Sequence, residues 1–144
     1  MPKHKLNTRL LKKVRNRIAE LPESFDQRYY YLPTKASPCG FLTDITGMVI
    51  ICSAPSIEQG IWKLATIHEK KLAAIFVTAQ NALKLTIDEA LMLFTTPRSN
   101  RPITSPRWPK PFHTKFLHAD SVKGRAKVTV AYLDHILKTG KILE

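Results

Sequence analysis

The sequence predicts an all-α fold: one domain, residues 1–144, of five to six helices around a buried central helix at about 40–54. Three observations predict it. Apolar residues recur at helical three-and-four spacing in most apolar stretches. A capping box and a terminal glycine punctuate two of the helices. The chain has 144 residues and is 44% hydrophobic, enough for one sizeable core and too apolar for wholesale disorder.

The first element is a helix at about 6–20. Leu6, Leu10, Leu11, Val14, Ile18 and Leu21 form one stripe, bases fall opposite, and Pro22 ends it. Pro22, Pro33 and Pro38 keep the next stretch irregular, with room for a short helical turn at 23–26. Tyr29–Tyr31 within it either anchor the loop or stack on exposed bases.

The central helix is read from Leu42, Ile45, Met48, Val49 and Cys52, which keep one stripe. Gly47 inside it would permit a close helix crossing. Residues 57–83 hold two helices, or one with a break around 67–71. Thr86 and Glu89 then form a capping box, in which each side chain takes the other residue's amide. Five prolines between 95 and 111 predict a long surface loop. The last helix spans about 120–139, capped by Asp120 or Ser121 and stopped at Gly140.

The order of these signals resembles a family of small, all-helical bacterial and phage proteins without established activity. That family carries a Cys-Gly-Thr-x-x-Cys-x-x-Gly motif at the start of its buried helix. The matching residues here are Pro22, Phe25 and Asp26; Cys39, Gly40 and Gly47; Leu83, Leu85, Thr86, Glu89, Ala90, Leu93 and Phe94; Trp108 and Pro109; Thr139 and Gly140. The motifs are short but span almost the whole chain. Phe41 replaces the motif threonine and Asp44 its second cysteine, which removes the pair on which a redox or metal role would rest. The resemblance implies an all-α fold and supplies no mechanism.

Charge carries the functional reading. The formal net charge is +12. Residues 1–19 hold seven bases and no acid, and residues 98–127 hold eight bases and one acid. The middle of the chain is slightly acidic. Clustered basicity suits a polyanion such as nucleic acid, or an anionic membrane surface; its bland counterpart is a solvated, solubilising face. The nucleic-acid reading selects Lys5, Arg9, Lys12 and Lys13 in segment 1–17. In segment 98–127 it selects Arg98, Arg101, Arg107, Trp108, Lys110 and Lys115, with Phe112 and Phe116 interleaved. There, bases could meet phosphates and aromatics could stack on nucleobases. The competing reading has Trp108 and Phe112 pinning the loop to the core while the bases stay solvated.

Other chemistry is thin. No phosphate-binding loop, dinucleotide fingerprint, zinc-protease motif or nucleophile elbow occurs. Two cysteines cannot build a disulfide framework or a Cys-rich zinc site. His113 and His118 lack the further ligands a metal needs. Cys39 reads as structural rather than as a reactive thiol, and Asp44 as a cap or ion-pair partner rather than a catalytic carboxylate. No stretch reaches the roughly 20 apolar residues of a membrane span. The expectation is therefore a cytoplasmic, non-enzymatic binding protein without cofactor or metal, contacting nucleic acid or, alternatively, an acidic protein.

Overall fold

The computed structural model describes residues 5–26, 31–35, 40–95, 97 and 108–142. These form seven α-helices, a 3-10 turn and a two-stranded hairpin. The helices are α1 (Thr8–Glu20), α2 (Ile45–Ser53), α3 (Ile57–Lys70), α4 (Ala74–Leu83), α5 (Ile87–Phe94), α6 (Lys110–His118) and α7 (Val122–Thr139). The all-α expectation holds, with one helix more than the sequence suggested.

The core is built on α2. Every residue from Ile45 to Ile51 is buried, so this helix meets solvent only at its end, Cys52 and Ser53. Such a helix is stable only when covered, and α1, α3 and α4 cover it. At the α2–α3 crossing, a Cβ on Gly60 would lie 2.3 Å from the Ile51 carbonyl oxygen, so only glycine fits there. A close approach thus falls at Gly60.

The central helix begins later than expected. Phe41–Leu42 (β2) pair antiparallel with Leu32–Pro33 (β1), Leu32 opposite Leu42. Asp44 then caps α2, accepting from the Gly47 amide at 3.0 Å and from the Thr46 hydroxyl. Tyr31 packs on Phe41 and on the His68 ring, anchoring the hairpin. Tyr29, Tyr30 and Cys39 lie outside the described residues.

Helix α1 buries Leu10, Leu11, Val14 and Ile18. Asn7 caps it by accepting from the Leu10 amide, and its own amide groups donate to Leu83 and Ala82 at the end of α4. Thr86 and Glu89 make the reciprocal capping box of α5. Ser121 caps α7, and Gly140 closes it with φ +73°.

Helix α6 is the unexpected one. Pro109 and Pro111 read as breakers of a loop reaching 111, yet proline is favoured in a first helical turn, where its missing N–H is not needed. The rest of that loop, residue 96 and residues 98–107, lies outside the described residues.

Candidate nucleic-acid interface

The first basic segment supplies an outward face of α1. Its buried stripe fixes the orientation of the helix, and Lys5, Arg9, Lys12 and Lys13 are left exposed. Among the described residues none of these four makes an ion pair. The two flanks of the helix behave differently. On one flank, the Arg15 guanidinium grips Asp134 of α7 through two nitrogens, at 2.7 and 3.2 Å. On the other, Arg17 lies 3.7 Å from Glu20.

Helices α1 and α7 run antiparallel. Arg15 meets Asp134, while Glu23, just beyond the end of α1, meets Lys123 at the start of α7 at 3.2 Å. The exposed side of α7 carries Lys123, Lys127, Asp134 and Lys138. The spacing of these residues keeps them on one stripe. Because Asp134 sits on that stripe and reaches Arg15, this basic edge of α7 adjoins the α1 surface. Part of the second basic segment thus neighbours the first.

The remainder of the second segment divides. Lys110 and Lys115 are exposed on α6, which packs on α7. Arg125 is half-buried and donates to the Ala119 carbonyl at 3.3 Å, bracing the α6–α7 junction. Arg98, Arg101 and Arg107 lie outside the described residues.

Trp108 is a correction to the site. It is 0% exposed, its indole N–H donates to the Leu93 carbonyl at 3.1 Å, and its ring packs against Phe116 and Tyr132. Phe116 is buried too, and Phe112 packs on Tyr132 and His135. These aromatics hold α6 to α7 and to the end of α5, and so are not platforms for nucleobases. The physical reason is packing: Phe112 and Phe116 lie on the side of α6 that faces α7, and Trp108, just ahead of that helix, joins the same aromatic cluster.

The groove beside α1 escaped sequence reasoning. Two depressions, of about 310 and 460 Å³, lie between α1 and the α2–α3 junction. Both are lined by Lys13 and Cys52, so they are contiguous. Arg17 and Glu20 line the first and Arg9 the second. The i, i+4, i+8 spacing of Arg9, Lys13 and Arg17 was a signal available in the sequence. That the end of α2 faces them was not.

Buried groups offer little catalysis. Burial pushes the Cys52 thiol up to about 11, against the pull of nearby Arg17 and Lys13, so it stays protonated at neutral pH. Asp44 is held at about 7 by burial, opposed by its hydrogen bonds to Thr46 and Gly47. Its Oδ1 is engaged in capping. His113 is buried and His118 exposed, and no cluster of three metal-binding side chains occurs among the described residues. No helix among the described residues is long and apolar enough to cross a membrane.

The fold and surface together define a basic, all-helical domain with a cationic helix pair on one side. Comparison with known protein families, curated proteins and solved structures finds no match.

Proposed function

We propose that this chain is a non-enzymatic nucleic-acid-binding protein that reads backbone charge and not base sequence. The observation that carries this reading is the exposed face of α1. Arg9, Lys12 and Lys13 stand there, with Lys5 just ahead of the helix, all four without a carboxylate partner among the described residues, beside the Lys127 and Lys138 edge of α7. Phosphate contacts made by such bases release counterions and bind without sequence preference. In this proposal Lys110 and Lys115 on α6 extend the cationic surface, and Arg98, Arg101 and Arg107 add to the basic charge of the segment. The work belongs to the cytoplasm and needs no cofactor.

The test is binding of the full chain to labelled mixed-sequence DNA and RNA across a salt series. Affinity should fall steeply from about 50 to about 200 mM salt. Flat retention would overturn the reading.

A second reading, docking of an acidic protein, has one observation in its favour. Trp62 is 72% exposed and Ile87 65%, with Val77 and Leu72 about half exposed, giving apolar surface that a protein partner could cover. These residues lie on α3, α4, α5 and the α3–α4 connection, not on the cationic helices.

A further inference from the structure

We infer that the groove between α1 and the α2–α3 junction is the track for one phosphodiester strand, so that single-stranded nucleic acid is the preferred ligand. The inference rests on the nucleic-acid reading above and deepens it. Three features of the groove carry it.

The first is spacing. Arg9, Lys13 and Arg17 follow one another by four residues, about 6 Å of helix rise per step. That is the order of separation between successive phosphates of an extended strand. All three line the groove, together with one acid, Glu20, leaving a net charge of +2 on its α1 wall.

The second is continuity. The two depressions meet at Lys13 and Cys52, so the groove runs along α1 from Asn7 and Ala82 at one end to Ile57 at the other. Each part is in the size range of a small-ligand pocket, which suits a nucleotide unit better than a rigid duplex. A duplex carries its phosphates on a convex surface. It would meet Lys12 on the outer face of α1 before reaching the half-buried Cys52.

The third is the opposite wall. Cys52, Ser53, Ala54, Pro55, Ser56 and Ile57 carry no charge, so sugars and bases can approach them without desolvating an ion. No aromatic side chain among the described residues lines either part. Base stacking, the usual source of sequence preference and of tight binding to single strands, is therefore missing. Binding is backbone-driven, modest and indifferent to base composition.

The experiment compares a labelled single strand of about 12 nucleotides with a duplex of the same length, using the intact protein at ~50 mM salt. The single strand should bind about tenfold more tightly, and pyrimidine and mixed sequences should bind alike. Replacing Arg9, Lys13 and Arg17 by Gln should abolish this preference and reduce the salt dependence by about two counterions, as expected for three contacts to a single strand. Arg17 is half-buried, so R9Q/K13Q serves as a second variant should the triple variant unfold. Bound single strand should also slow alkylation of Cys52 by a neutral maleimide, followed by peptide mapping, whereas duplex should not.

Three outcomes overturn the track. Duplex may bind as well as single strand. Binding may survive the groove variants and fall only with K123Q/K127Q, in which case the nucleic-acid reading stands and the groove is not its site. An acidic peptide may displace the strand and protect Cys52 better, which makes the groove a protein site. If neither nucleic acid binds at low salt, both readings fail together.

Discussion

The two basic segments carry the same net charge, +7 each, and the fold uses them differently. In the first, α1 carries no aromatic residue, and its leucine, valine and isoleucine stripe alone faces the core. The bases are left over, and they stay outside. In the second, the bases are interleaved with Trp108, Phe112 and Phe116, which build the α6–α7 contact. Arg125 braces that junction, and Lys123 answers Glu23. A cluster of charge marks a candidate surface. The residues between the charges decide whether it is a surface or a scaffold.

The comparison breaks most readily at Trp108. Trp108→Ala removes a fully buried ring and leaves the Leu93 carbonyl without its indole donor. It should cost about 3–5 kcal/mol in a urea unfolding curve. If the loss is below about 1 kcal/mol, the second segment is not scaffold and the contrast with the first fails.

Asp44, which caps the helix that α1 packs on, gives the next effect. Its proton is held more tightly in the folded chain, at about 7, than in the unfolded chain, near 3.8. The folded state therefore binds more protons between these values. The stability this confers is full below about pH 4 and is lost as pH rises through about 7. The slope reaches up to about 1.4 kcal/mol per pH unit. Thermal melts across this range should show the decline, and Asp44→Asn, which keeps a capping oxygen, should flatten it. A wild-type curve that rises with pH in that window, with no change in Asp44→Asn, would show that the capping hydrogen bonds outweigh burial.

Stability and binding should separate on α1. Lys12→Gln with Lys13→Gln should shift unfolding by no more than about 0.5 kcal/mol, since both side chains are exposed. The same pair should weaken nucleic-acid binding about tenfold at low salt. The smallest effect belongs to the helix seam. A double-mutant cycle between Arg15 and Asp134 should give a coupling of about 0.2–1 kcal/mol that shrinks with added salt, because both groups are partly exposed.

Local patterns made much of this fold legible. The stripe of α1, the capping box at Thr86 and Glu89, and the stop at Gly140 each rest on residues within one or two helical turns, and each is present. Where long-range partners decide, the sequence was ambiguous. Phe41 and Leu42 continue a helical stripe but are drawn into a strand by Leu32 and Pro33. Pro109 and Pro111 look like loop residues until the aromatics after them find Tyr132. Within the site, the outward bases of α1 could be read from periodicity. The groove could not, because its far wall comes from a turn some 40 residues away that is placed only when α2 is buried. For Trp108 the sequence leaves two readings, stacking on nucleobases or pinning the loop to the core, and the buried ring follows the second.

Arg15 and Asp134 are separated by 119 positions along the chain. At a synthesis rate of about 5–20 residues per second, the flank of α1 that faces α7 waits on the order of ten seconds for its partner to emerge. During that interval the oily side of a strongly cationic helix is incompletely covered, close to the polyanionic surface of the ribosome. A chain built this way has reason to keep its first helix polar on every face that no later segment will claim.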